Sequence, residues 1–64
     1  MIGILTFEGT GNNHIATVAE IRGLKFMHLG QQRVTVNLGS LEDIVALMDG
    51  VRDYRNVKIE LFGR

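Results

Sequence analysis

Residues 40–54, SLEDIVALMDGVRDY, carry the clearest structural signal in the chain and decide the fold class. Large apolar side chains recur at spacings of three and four residues, which is the pattern of one face of an amphipathic helix. Ser40 precedes this pattern as an N-cap, and Asp43 holds the position that Glu or Gln takes in a capping box. A helix over residues 40–54 is therefore predicted, with Gly50 either ending it early or allowing close packing on a sheet. The predicted apolar face comprises Leu41, Ile44, Val45, Met48, Val51 and Tyr54.

Residues 57–62 follow this helix and alternate between apolar and charged side chains. Such alternation is typical of a strand with one buried face. The apolar set is expected to face the core and the charged set to face water. The apolar set is Val57, Ile59 and Leu61, and the charged set is Lys58 and Glu60.

Three further segments upstream of the helix are predicted to be strands. Residues 24–29 and 33–38 both alternate, and the three residues Gly30-Gln31-Gln32 between them predict a β-hairpin. Residues 2–8 are rich in β-branched and aromatic types and predict a strand that is covered on both faces.

Residues 14–22 fit two different elements. As a strand, Ile15, Thr17, Ala19 and Ile21 would share one face. As a helix, Asn13 would cap the segment and Gly23 would end it. Because four of the nine residues are β-branched, the strand is preferred and the helix is kept as the alternative.

The predicted order is strand, strand, strand, strand, helix, strand, or strand, helix, strand, strand, helix, strand if residues 14–22 are helical. Both orders are α+β: a small, mostly antiparallel sheet of four or five strands with an amphipathic helix on one face. Sixty-four residues predict a single domain, residues 1–64. The chain contains 22 Ile, Leu, Val and Phe residues, more than a small layer buries easily, so we expect a homo-oligomer.

The composition narrows the classes of function. There is no Cys, which excludes disulfides, thiol catalysis and thiolate metal sites and favours a reducing compartment such as the cytoplasm. The formal net charge is zero, so a nucleic-acid partner is not expected. No apolar stretch approaches the length of a membrane span, and we expect no membrane partner.

The loop from Gly9 to His14 is the one candidate ligand site. A Gly-rich loop that enters a helix can bind phosphate through its backbone amides. The loop lacks the Lys-Ser/Thr of a P-loop and the three spaced glycines of a dinucleotide fold, so a turn is the simpler interpretation. Its residues are Gly9, Thr10, Gly11, Asn12, Asn13 and His14.

A second candidate is a small interaction surface formed by Arg52, Tyr54 and Arg55. Tyr and Arg are enriched at interface hot spots. The two histidines, His14 and His28, and the scattered carboxylates show no metal-ligand spacing. We therefore predict no catalytic residue, no metal and no cofactor.

Residues 33–63 resemble the second half of the HPr-type phosphocarrier family. The resemblance lies in Val36-Asn37-Leu38-Gly39-Ser40-Leu41, followed by a short helix and the strand that begins at Val57. The family's phosphorylated His is followed by Arg and Pro, whereas His14 is followed by Ile15-Ala16-Thr17. The chain also ends before the family's C-terminal helix. The resemblance thus implies part of a fold and gives no phosphorylation site.

The functional expectation is a small non-enzymatic binding or regulatory module that acts as a homo-oligomer and engages a protein partner. Accessory proteins of bacteria or their phages have this profile. The alternative is a small-ligand or phosphate-binding protein that uses the loop from Gly9 to His14 at a subunit interface.

Overall fold

The computed structural model describes residues 1–52 and 54–63 and confirms the α+β class. The elements in chain order are β1 (Gly3–Glu8), α1 (Asn12–Ile21), β2 (Phe26–His28), β3 (Arg33–Leu38), α2 (Leu41–Met48), a 3₁₀ turn (Tyr54–Asn56) and β4 (Val57–Leu61). The four strands form one antiparallel sheet in the order β2-β3-β1-β4. Each helix crosses over a neighbouring strand, so the chain makes two interleaved split β-α-β units, the connectivity of ferredoxin-like folds.

The preferred strand over residues 14–22 is wrong, and the helical alternative is right, although Gly11 and not Asn13 is the N-cap. These residues lie almost entirely within α1, which begins at Asn12. As a helix the segment buries Ile15, Ala16 and Ala19 against the sheet and leaves Thr17 exposed. The two alanines allow the helix to approach the sheet closely. Tertiary packing has therefore overridden the local β-propensity of the segment.

The core lies between the two helices and one face of the sheet. In the register of the sheet, Leu5 lies between Val36 on one side and Ile59 on the other. Odd-numbered residues of β1 and even-numbered residues of β3 thus face the helices and are buried. The buried apolar residues are Leu5, Phe7, Ile15, Ala16, Ala19, Val34, Val36, Leu38 and Leu47.

No helix among residues 1–52 and 54–63 covers the opposite face of the sheet. Ile4 and Thr6 lie there and are half-buried, so the expectation that β1 is covered on both faces is wrong. The predicted hairpin is confirmed, because β2 pairs with β3 and Leu29 N–H donates to Arg33 C=O at 2.7 Å. That bond leaves residues 30–32 as the loop.

The helix α2 is shorter than residues 40–54 and ends early, which is the first of the two alternatives given for Gly50. It ends at Met48, and Gly50 follows with a φ of +88°, a left-handed conformation that is costly for other residues. Its inner face also differs from the prediction, since Leu47 is fully buried while Leu41 and Val45 are 63% and 73% exposed. No helix in the described part of the chain is long and apolar enough to cross a membrane.

Two polar contacts show that α1 and α2 lie side by side and antiparallel. At one end, Arg22 follows α1 and pairs with Asp43 in the first turn of α2 at 2.9 Å. At the other end, His14 in the first turn of α1 contacts Asp49, just after α2. The two helices are therefore joined at both ends, and these joints position the loops around them.

Candidate functional site

The strand β4 is an edge of the sheet and has an outer side that no described strand pairs with. Phe62 N–H donates to Ile2 C=O at 2.8 Å, which fixes how the backbone alternates along the strand. Lys58 and Glu60, at even steps from Phe62, point their backbone groups towards β1. The N–H and C=O groups of the odd-numbered residues Val57, Ile59 and Leu61 point away from β1.

The side chains of this edge are more exposed than the sequence predicted. Ile59 and Leu61 share the helix-covered side of the sheet with Leu5 and Gly3, to which they are paired. They are nevertheless 39% and 54% exposed, so the expectation that they are core residues is wrong. The reason is the position of β4 at the edge, because the main contacts of the two helices with the sheet are on β1, β2 and β3.

The predicted ligand loop lies at the start of α1 and lines an open groove of about 410 Å³. The opposite wall of the groove comes from residues 50–52, immediately after α2. Arg52 therefore faces the same depression as Thr10, Gly11 and His14, although it is about forty residues away in sequence. A positive side chain and a helix N-terminus on one groove are an arrangement that can attract an anion.

Two hydrogen bonds organise this groove. Asn12 is buried, and its side-chain Nδ2 donates to Gly9 C=O at 2.7 Å, which closes the loop onto the first turn of α1. His14 Nε2 lies 3.3 Å from Asp49 C=O. Since a carbonyl oxygen only accepts, the contact requires the proton on Nε2 and leaves Nδ1 for other partners.

The predicted surface of Arg52, Tyr54 and Arg55 is divided among three depressions. Arg52 lines the groove beside the loop. Tyr54 lines a shallow depression with Val45 and Met48 at the end of α2. Arg55 lines a third depression together with Arg33 and Lys58. The three side chains are exposed, and their role as an interaction surface stays a prediction.

The buried Asp43 is a polar centre that the sequence identified only as a capping residue. Burial by itself raises the pKa of the Asp43 carboxyl, but the N–H of Gly39, the guanidinium of Arg22 and the N–H of Ser40 lower it, and the net pKa lies below the ordinary value. The N–H donors of Gly39 and Ser40 lie 2.7 and 2.9 Å from Oδ2, and Arg22 contacts Oδ1. Each oxygen has a structural partner, so this centre joins α1 to α2.

Within residues 1–52 and 54–63, no three His, Asp or Glu side chains come close enough to hold a metal ion. Of the other acidic residues in the segment 40–54, Glu42 is exposed in the first turn of α2, Asp49 follows the helix, and Asp53 lies outside the described residues.

No protein-family model matches this chain, and no curated protein or solved structure is significantly similar to it.

Sequence reasoning missed two features of the surface. It did not identify β4 as an edge, because alternation describes the two faces of a strand and says nothing about its neighbours. It also did not place Arg52 on the loop groove, because that approach depends on where α2 ends. The left-handed Gly50 was the one local signal for that end.

Proposed function

We propose that this chain is a small, non-enzymatic binding module that acts as a homo-oligomer and engages a protein partner. The observation that supports self-association is the β4 edge, where Ile59 and Leu61 are exposed beside backbone groups with which no described strand pairs. Exposed strands of this kind readily pair with another chain. A cytoplasmic location belongs to the same proposal and is supported by the absence of Cys.

The partner surface in this proposal is the depression at the end of α2. Val45, which is 73% exposed, and the exposed Tyr54 line it together. An exposed aromatic ring beside aliphatic side chains is the composition of an interface hot spot. This surface lies on the helical layer and leaves the sheet edge available for self-association.

The absolute mass in solution tests the oligomer directly. We expect light scattering to give a fixed multiple of 7.1 kDa over a wide concentration range. A mass of one chain at all concentrations would refute self-association.

For the partner surface, Tyr54→Ala is expected to abolish capture of a binding protein, while Ile21→Ala, which alters an exposed apolar side chain on α1, is the matched control. Equal capture by both variants would refute the role of Tyr54.

An anion-binding role is the second candidate, and the observation that favours it is Arg52 on the groove of the loop from Gly9 to His14. Ligands that bind the native state raise its melting temperature by mass action. Inorganic phosphate, pyrophosphate and ATP are expected to raise the melting temperature saturably, against chloride of equal ionic strength. The increase should disappear in Arg52→Gln and persist in Lys25→Gln, which removes an exposed charge elsewhere. Equal increases in both variants would exclude this groove.

A further inference from the structure

The outer edge of β4 has a regular set of backbone groups available for pairing. Because the N–H of Phe62 points to β1, the N–H and C=O groups of Val57, Ile59 and Leu61 point away from the sheet. These three residues also carry the partly exposed apolar side chains of the helix-covered side. The edge therefore presents hydrogen-bonding groups and apolar surface at the same positions.

The two edges of the sheet differ in how they are protected. The strand β2 is only three residues long, and short edge strands are poor templates for further pairing. The strand β4 has five residues, contains no Pro and pairs with β1 in an unbroken register, without a bulge. It thus lacks three of the features that prevent an edge strand from pairing with another chain, namely shortness, Pro and a bulge, and its charged residues Lys58 and Glu60 are the one such feature that it carries.

The two charged residues of β4 have opposite signs and lie one on each side of Ile59. Lys58 precedes this residue and Glu60 follows it, and both are exposed on the open side of the sheet. In an antiparallel pair of identical strands centred on Ile59, each Lys58 lies opposite the partner's Glu60. A pair centred on Lys58 or on Glu60 would instead place like charges opposite each other, which is destabilising.

Backbone geometry favours the same centre. An isologous antiparallel pair requires outward-pointing residues to lie opposite each other. Centring on Ile59 satisfies this, because Ile59 then faces the partner's Ile59 and Val57 faces the partner's Leu61. Lys58 and the partner's Glu60 fall on the non-hydrogen-bonded pairs, where side chains are closest.

We propose that a second copy of this chain occupies the β4 edge, in an antiparallel pair centred on Ile59. The two four-stranded sheets join into one continuous sheet, and the exposed surfaces of Ile59 and Leu61 cover those of the second copy. Two Lys58–Glu60 pairs, one on each side of the axis, select this register over its neighbours. This inference rests on the proposed homo-oligomer and specifies its interface.

Charge exchange at the two positions tests the register. Lys58→Glu leaves two acidic residues on β4, and Glu60→Lys leaves two basic ones, so each variant is expected to dissociate at least about tenfold more readily than the wild type. An equimolar mixture of the two variants restores opposite charges at both pairs and should form a heterodimer. The doubly exchanged chain, Lys58→Glu with Glu60→Lys, should self-associate like the wild type.

The matched controls are Lys25→Glu and Glu20→Lys, which change the net charge equally at exposed positions outside β4. These controls should keep the wild-type mass, and circular dichroism verifies that every variant is folded. If a single variant fails to fold alone, recovery of folding in the mixture gives the same evidence.

The outcomes separate the two proposals. A wild-type chain that is monomeric throughout refutes the homo-oligomer and this interface together. A wild-type oligomer that Lys58→Glu and Glu60→Lys leave unchanged refutes the interface alone.

Hydrogen exchange gives an independent measure, since the amides of Val57, Ile59 and Leu61 should be protected in the oligomer and lose that protection in Lys58→Glu. Rapid exchange of these amides in the wild-type oligomer would also overturn the proposed pairing.

Discussion

At the scale of single residues, Asp43 is the buried polar side chain that connects α1 to α2. It is buried, it accepts two backbone N–H donors, and it pairs with Arg22 from the other helix. Its pKa lies below the ordinary value of 3.8 because these partners favour the ionised form. A carboxyl group with a lowered folded-state pKa stabilises the fold above its unfolded pKa, and this contribution is lost as the pH falls through the folded value.

The prediction concerns Asp43→Asn. At pH 7 we expect the free energy of unfolding to fall by about 1–2 kcal/mol, because the amide keeps part of the cap and loses the charge that pairs with Arg22. As the pH falls below the ordinary aspartate pKa of 3.8, the difference in the free energy of unfolding between Asp43→Asn and the wild type should shrink to zero. Urea unfolding at constant protein concentration measures both quantities. Glu42→Gln, the same change of charge at an exposed neighbour, is the control. A difference in the free energy of unfolding that does not change with pH would contradict the lowered pKa of Asp43.

The same residue shows what the sequence can predict at this scale. The capping position of Asp43 follows from its place three residues after Ser40, because a helical turn brings those positions together. Its pairing with Arg22 does not follow, since the two residues are separated by 21 positions and meet only when α1 packs beside α2. Local contacts are predictable from spacing, whereas this joint depends on the whole fold.

At the scale of elements, the errors of prediction lie where packing competes with local preference. The segment 14–22 has the β-branched content of a strand, yet it is needed as a helix to cover a sheet face that contains Leu5, Val34 and Val36. The hairpin and β4 were predicted correctly as elements because alternation is a strong signal. The end of α2 was left open between an early end at Gly50 and a continuation to residue 54, because the apolar spacing continues in the sequence beyond Gly50.

The pairing of β4 with β1 depends on Gly3. A Cβ at this position would clash with the backbone oxygen of Glu60 and lie 3.1 Å from the Cα of Leu61. Gly3→Ala is therefore expected to push β4 away from β1 and to lower the free energy of unfolding by about 1–3 kcal/mol. Faster hydrogen exchange at the amides of Lys58 and Glu60 would locate the damage. Gly63→Ala, which meets no neighbouring atom, should change stability by less than about 0.5 kcal/mol. Equal stability of the two variants would show that β4 tolerates the extra methyl group.

At the scale of the whole molecule, the apolar residues are divided between a small core and exposed positions on both helices, on β2 and on β4. Composition alone correctly indicated more apolar material than the chain buries, since ten large apolar or aromatic side chains among the described residues remain exposed. Composition could not indicate where that surplus lies. For Ile59 and Leu61 the strand order β2-β3-β1-β4 decides it, because the last strand of the chain becomes an edge of the sheet.

This division predicts opposite outcomes for two substitutions that look alike in the sequence. Val36 is fully buried in the centre of the sheet, so Val36→Asp places an uncompensated charge in the core and is expected to prevent folding. Ile59→Asp places the charge at the β4 edge, where the side chain is 39% exposed, and should give a chain that folds cooperatively and does not self-associate. Thermal unfolding by circular dichroism and mass by light scattering distinguish the two. Loss of the cooperative transition in Ile59→Asp would mean that the edge residues belong to the core of the chain itself. Retention of the wild-type mass in a folded Ile59→Asp chain would mean that self-association uses another surface.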